Sequence, residues 1–271
     1  MLTNIPVHVL KSLDGKSPEN MEIKFNNTRI LYLNHHECHA ASAFFTSPFK
    51  NSDILTIDGH GEVDTCYFGY GKNKIIKNLD SIKYPHSVGL FYGAFTNFLG
   101  FKPDSDEWKA MALSSYKFKS KNIYLSKIKK IFKLDNGKFE LDLSYFQFYF
   151  FDRKKNFFSK KFEKLFGKPR EKDKKIEKRH YEIASAMQKA FEEIVFYLLK
   201  YLKSRGGKSN NIVLAGGAAM NCVFNGLLHK KKLYKRNYIP AYPDDLGVSI
   251  GAAYLANNIY SKKSRKIFHE K

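Results

Sequence analysis

Asn34-His35-His36-Glu37-Cys38-His39-Ala40-Ala41-Ser42-Ala43-Phe44 and, a little further on, Ile54-Leu55-Thr56-Ile57-Asp58-Gly59-His60-Gly61-Glu62 decide how this chain reads. The first stretch predicts a helix from His35 to Phe45. His35 and His39 stand four residues apart on it, so both imidazoles project from one face, a spacing used by metal ligands. Taken alone, the pair suits a satisfied structural contact equally well. His36 departs from that face by one residue and is expected to pack or bond elsewhere. The second stretch predicts a strand from Asp53 to Asp58 that delivers a carboxylate into a glycine turn. Strand ends of this kind are where α/β proteins place ligand chemistry.

Working outward, Ile30 to Leu33 reads as a short strand, and residues 1–28 have no sustained period and read as an irregular lead-in. Thr65 to Tyr70 is a second strand after the glycine turn. Val88, Phe91, Phe95 and Leu99 mark a helix from Ser87 to Leu99 that Gly100 ends, and Glu107 to Leu113 opens another. From Lys117 to Arg179 the texture changes. A turn at Asp135-Asn136-Gly137 precedes the alternating Phe139 to Leu143, then Lys and Phe interleave, and the segment reads as an insertion between two halves. His180 to Ser204 carries the longest helical period, with Ile183, Met187, Phe191, Ile194, Val195, Leu198 and Leu202 on one stripe and Gly206-Gly207 as the stop.

Asn211 to Leu214 then reads as a strand entering Ala215-Gly216-Gly217-Ala218-Ala219-Met220-Asn221, with a helix through Leu228. Strand, glycine pair and helix are a phosphate-binding layout, since glycine lets the backbone approach an anion and the helix start offers unpaired amides. A tight turn without a ligand uses the same residues. Near the end, Asp244-Asp245 open a helix of small residues that can pack close to a sheet.

The chain has 271 residues, 43% of them apolar, enough for a large core. It contains no apolar run of the roughly 18 residues a membrane span needs and no secretory leader pattern, so a cytoplasmic location is expected. Cys38, Cys66 and Cys222 form no Cys-x-x-Cys pair and are expected to be buried thiols rather than disulfides or zinc ligands. The net charge of +21 invites a nucleic-acid reading. Its concentration between Lys117 and Arg179 and in the tail, without a base-reading motif, favours solvated surface instead.

Six ordered blocks, His35 to Phe44, Thr56 to Glu62, Ser87 to Phe101, Lys109 to Leu113, Gly216 to Asn221 and Asp245 to Ala253, resemble the carbamoyltransferase family of nodulation and antibiotic biosynthesis. The resemblance covers residues 30–116 and 180–257. It implies an α/β fold of the actin-like, sugar-kinase type, with two ribonuclease H-like halves around a nucleotide cleft. On that expectation residues 1–28 are lead-in, 29–116 a partial first half, 117–179 the insertion, 180–257 the second half and 258–271 a basic tail. The family's pattern further implies that His35, His39, Asp58 and Asp245 bind iron or another divalent transition metal against the phosphate of a carbamoyl-adenylate. His39 and Asp58 are then the catalytic residues. Gly216, Gly217 and Asn221, with Glu107 and Lys109, are implied to line the ATP-derived nucleotide.

The implied activity is transfer of a carbamoyl group to a hydroxyl of a small-molecule acceptor. Family members are expected to begin with further strands and to continue into an adenylate-forming domain, so the chain reads as truncated at both ends and as working with a separate adenylate-forming domain or protein. The block expected after Lys109 also departs from the family, reading Ala112-Leu113-Ser114-Ser115-Tyr116-Lys117. Two other readings stand beside this one: a non-catalytic or degraded fragment that keeps nucleotide binding or an interaction surface, and a tRNA-modifying relative.

Overall fold

The computed structural model of the protein describes residues 21–25, 27–116, 123–149, 156–206 and 209–260. By contacts the chain divides into two compact units, residues 1–84 with 202–271 and residues 85–201. The first unit opens with a hairpin of β1 (Met21–Phe25) and β2 (Thr28–Tyr32), so a strand stands inside the stretch expected to be irregular. Then come α1 (His35–Thr46), β3 (Asn51–Ile57), β4 (Asp64–Lys72) and β5 (Ile75–Lys83).

The second unit holds α2 (Val88–Phe98), α3 (Glu107–Ser114), α4 (Ile123–Ile128), the hairpin β6 (Phe132–Asp135) and β7 (Lys138–Leu141), and α5 (Lys160–Phe166). The long helix α6 (Lys178–Arg205) leads back to the first unit. There the chain finishes with β8 (Asn211–Ala215), α7 (Cys222–Lys231), β9 (Arg236–Tyr238) and α8 (Val248–Tyr260).

One five-stranded sheet organises the first unit, in the order β5-β4-β3-β8-β9. β4 runs antiparallel to both β3 and β5, whereas β3, β8 and β9 are mutually parallel. Residues Asp53 to Thr56 pair with Ile212 to Ala215. Strands from either side of residues 117–179 therefore join one sheet. β3 is buried along its length after Asn51, which a continuous apolar run predicts for a strand covered on both faces. Phe44, Phe45 and the alanines of α1 pack with Ile54, Tyr67, Val213 and Ala215.

The small-residue helix α8 packs closely against α1, and its Tyr254 and Leu255 reach the core shared with the sheet. A Cβ on Gly251 would stand 2.6 Å from the carbonyl carbon of Cys38, so only glycine allows this approach. α8 thereby sits beside the helix that carries His35 and His39.

Phenylalanine fills the second unit. Phe95 and Phe98 of α2 meet Phe162 and Phe166 of α5 with ring centroids 4.9–6.2 Å apart, and Phe91 meets Phe132 and Phe139 of the β6–β7 hairpin at 5.9 and 6.0 Å. The alternation of Lys and Phe in this region is explained by burial of the rings. Phe162 and Phe166 are inside and Lys160 and Lys164 outside. The stripe of α6 from Ile183 to Leu202 is buried at every position the period predicts. Gly206 closes that helix through its N–H to Leu202 O, and Gly207 lies outside the described residues. Cys38 and Cys66 are buried but Cys222 is exposed, because it begins α7 on its solvent side. No helix among the described residues is long and apolar enough to cross a membrane.

Candidate functional site

Helix α1 is fixed at its start by two side chains. Asn34 caps it, its Oδ1 accepting the Glu37 N–H at 3.1 Å. The Glu62 carboxylate accepts the His35 N–H through both oxygens at 3.2 and 3.3 Å, placing negative charge at the positive end of the helix. The turn that carries Glu62 lies directly on the helix, since a Cβ on Gly61 would meet His36 Cδ2 at 3.0 Å and His35 Cβ at 3.2 Å. Strand β3 ends beneath this helix and hands Asp58 to the turn.

His35, His39, Asp58 and Asp245 converge. His35 Nε2 lies 3.2 Å from Asp58 Oδ2 and 3.3 Å from Asp245 Oδ1. His39 Nε2 lies 2.9 Å and 3.3 Å from the same two oxygens, and the two Nε2 atoms are 3.0 Å apart. His39 is fully buried, whereas the Asp245 side chain is 77% exposed. The cluster is thus closed at its base and open on the Asp245 side. Asp245 comes from a short 3-10 turn, Asp245–Gly247, which leads into α8.

Nitrogen lone pairs cannot face each other at 3.0 Å, so a proton or a cation must sit between these groups. Burial alone would lower the pKa of His39, but hydrogen bonds to Asp245 and Asp58 outweigh it and raise the imidazole to about 9. Burial likewise works against the Asp58 carboxylate, and hydrogen bonds from His35 and His39 win, holding it well below the usual carboxylate range.

A cation with bonds of about 2.1 Å places neighbouring donors about 3.0 Å apart in an octahedron and about 3.4 Å apart in a tetrahedron. The five separations here run from 2.9 to 3.3 Å, so the residues fit a divalent transition metal without rearrangement. Two imidazoles and two carboxylates suit iron, manganese or zinc. One usual support is missing: buried His39 Nδ1 has no hydrogen-bond partner among the described residues. The ring is therefore not held from behind, as metal-bound histidines commonly are.

His36 turns away from the cluster, as its position in the helix predicts, and bonds Thr56 Oγ1 and Asp64 O. Burial, and then the neighbouring His39, lower its pKa to about 4, so it is neutral near pH 7.

The glycine pair lies beside the cluster. Gly216 has φ +85°, and a Cβ there would collide with the Ile57 backbone. The Gly217 N–H donates to Asp58 Oδ1 at 3.2 Å, next to the Gly59 N–H at 2.8 Å, so Asp58 uses one oxygen toward the histidines and the other toward the loop. Asn221 caps α7, its Oδ1 accepting the Phe224 N–H at 3.0 Å. Glu107 and Lys109 belong to the second unit, where both have local partners. Glu107 Oε1 accepts the Asp104 N–H at 2.9 Å, and Lys109 Nζ stands 2.9 Å from Asp106 Oδ1. The roles of Glu62 and Thr56 escaped the sequence reading. Their one signal was a place in the same short block as Asp58.

The model of the carbamoyltransferase N-terminus matches residues 7–254. It reaches into the lead-in and runs through 117–179, segments the block pattern had left outside the resemblance. The chain is 36% identical over 240 residues to uncharacterized protein sll1178 of Synechocystis sp., covering 88% of this chain and 38% of that protein. It is 29% identical over 256 residues to nodulation protein NolNO of Sinorhizobium fredii, covering 94% and 35%. To nodulation protein NolO of Bradyrhizobium diazoefficiens it is 30% identical over 227 residues, covering 83% and 38%. The chain spans between 35% and 38% of the length of these relatives. With a family match over nearly its whole length, the chain belongs to the carbamoyltransferase family, through that family's N-terminal region.

Proposed function

We propose that this chain provides the site at which a carbamoyl group passes from carbamoyl-adenylate to a hydroxyl of a small-molecule acceptor. The observation that carries the reading is the convergence of His35, His39, Asp58 and Asp245 in a chain of this family. A divalent transition metal held there, iron(II) on the family's pattern, supplies positive charge to bind and polarise a phosphate oxygen.

The chain's own residues do the positioning. His39 and Asp58 are catalytic in this reading because they form the buried base of the cluster, with His35 beside them and Asp245 on the open side. Gly216 and Gly217 keep side chains away from the floor next to Asp58, and Asn221 holds the start of α7. We assign Glu107 and Lys109 to the nucleotide as well, Lys109 offsetting phosphate charge. In the transfer the acceptor oxygen bonds to the carbamoyl carbon while that carbon's bond to phosphate breaks, releasing AMP and the hydroxyl proton.

We propose that an adenylate-forming domain or partner protein supplies the carbamoyl-adenylate, and that the chemistry takes place in the cytoplasm. The sheet, three antiparallel strands extended by two parallel ones, supports a ribonuclease H-like half of the actin-like type. A second reading, a non-catalytic or degraded fragment that keeps nucleotide binding or only an interaction surface, is favoured in its second form by the local engagement of Asn221, Glu107 and Lys109, the residues implied to line the nucleotide.

Calorimetric titration with a non-hydrolysable ATP analogue, with and without anaerobic iron(II), tests the proposal beside His39→Ala. Metal-dependent binding that the variant loses supports it, and absence of binding by the folded wild-type protein overturns it. Metal-dependent binding without transfer from supplied carbamoyl-adenylate selects the fragment reading.

A further inference from the structure

Helix α1 must stand at a fixed distance from strand β3 for His35 and His39 to meet Asp58, and His39 Nδ1 has no hydrogen-bond partner among the described residues to hold its ring. The placement of the rings is inherited from the helix backbone, which turns attention to a buried side chain next to His35 that ties this helix to two strands on polar terms. His36 is fully buried. Its Nε2 lies 2.9 Å from the carbonyl oxygen of Asp64, and its Nδ1 lies 2.5 Å from Thr56 Oγ1.

The partners fix the direction of both bonds. A carbonyl oxygen only accepts, so Nε2 carries the hydrogen and donates to Asp64 O. With the hydrogen of the neutral imidazole on Nε2, Nδ1 only accepts, so the buried Thr56 hydroxyl donates to it. His36 is thereby the Nε2–H tautomer and spans α1, β3 and β4. Thr56 stands two residues before Asp58 on its strand, and His36 is the neighbour of His35 on its helix.

We infer that the Thr56–His36–Asp64 tie is a positioning device that holds the His35/His39 pair in register with Asp58, so that the metal-binding geometry exists before metal arrives. Thr56 and His36 touch no metal or substrate; they act through the ligands beside them. The inference rests on the metal-site reading above. A bond that lacks slack explains why the cluster separations already match a coordination sphere, and support of this kind is commonly worth tenfold or more in affinity.

Cobalt(II) is the probe. Thr56→Val keeps shape and β-branching but removes the donor, and Thr56→Ser restores it. The expected result is about tenfold or greater loss of cobalt affinity in Thr56→Val, with altered visible absorption bands of the bound ion, and wild-type affinity and bands in Thr56→Ser. Equal affinity and spectra in folded Thr56→Val and wild type overturn the inference. In the metal-free wild type, nitrogen NMR of labelled histidine checks the tautomer, expected to show a protonated His36 Nε2 and a bare Nδ1. The opposite tautomer overturns the inference even if Thr56→Val fails to fold. Wild-type protein that takes up no cobalt while His36 shows the expected tautomer sinks the metal site itself, and the positioning role with it, but leaves the tie as a structural contact.

Discussion

Gly251→Ala tests whether the packing of α8 on α1 sets the metal site. The new Cβ would stand 2.6 Å from the carbonyl carbon and 3.0 Å from the Cα of Cys38, and it would overlap the carbonyl oxygen. Carbon atoms settle about 3.5–4.0 Å apart, so α8 must retreat by about 1 Å. Overpacking of this kind costs about 1–3 kcal/mol, and at roughly 2–4 °C per kcal/mol the melting temperature falls by several degrees. Asp245 rides on the turn that opens α8, and its Oδ1 sits only 3.3 Å from each imidazole nitrogen. Metal bonds tolerate about 0.2 Å, so a retreat five times larger removes Asp245 from the sphere and lowers metal affinity by about 10- to 100-fold. Gly226→Ala is the control. It lies inside α7 with nothing within 4 Å of a new Cβ, and it should leave metal binding alone while stabilising the protein by about 0.5–1 kcal/mol. Thermal melting and competition titration with cobalt(II) read both effects. Wild-type melting and affinity in Gly251→Ala would refute the reasoning.

Other outcomes follow from the same geometry. Asp245→Ala should lower melting of the metal-free protein modestly near pH 7, since it removes one bond that keeps His39 protonated, and weaken metal binding by more than tenfold; unaltered metal content would remove Asp245 from the ligand set. His39 is raised from 6.5 to about 9, so its contribution to the stability of metal-free protein is complete below about pH 6.5 and lost as pH rises through about 9. Melting in chelator should decline over that window. Metal affinity should rise about tenfold per pH unit from pH 7 to 9, with close to one proton released per metal bound at pH 7 in calorimetry across buffers. Asp58, depressed from 3.8, contributes stability above its unfolded value that is lost as pH falls toward the folded one, which acid melts of Asp58→Asn would read as a shallower slope. Tyr234→Phe removes the 2.9 Å hydroxyl bond to buried Asp53 Oδ2 and should cost about 1–3 kcal/mol in denaturant melts without touching metal affinity.

The metal cluster was legible in sequence because its chemistry repeats at short range. His35 and His39 share a helical face, and Asp58 stands where a strand meets glycine. Asp245 lies far along the chain, and only the resemblance joined it to them. Core elements with strong periods, such as α6 and β3, were equally plain. β5 was not, because an edge strand exposed over much of its length shows no apolar alternation, whereas β1 does alternate, Met21-Glu22-Ile23-Lys24-Phe25, but over only five residues within a longer stretch without a period. The shared sheet was out of reach for a different reason: the pairing of β3 with β8 spans the whole second unit, and no local pattern records it. Gly251 advertised a close approach but not its partner, and the helix it meets could be read only in three dimensions. Asn221, which the resemblance implies against the nucleotide, has its side-chain oxygen on the start of α7 as a helix cap, a role its position before that helix also allowed.

The most direct test of the account is anomalous diffraction from crystals grown with cobalt(II), measured on either side of the cobalt absorption edge. The account predicts a single strong peak among His35 Nε2, His39 Nε2, Asp58 Oδ2 and Asp245 Oδ1, with bonds of about 2.1 Å to each. A well-ordered cluster without a peak, or a peak only elsewhere on the surface, would contradict it.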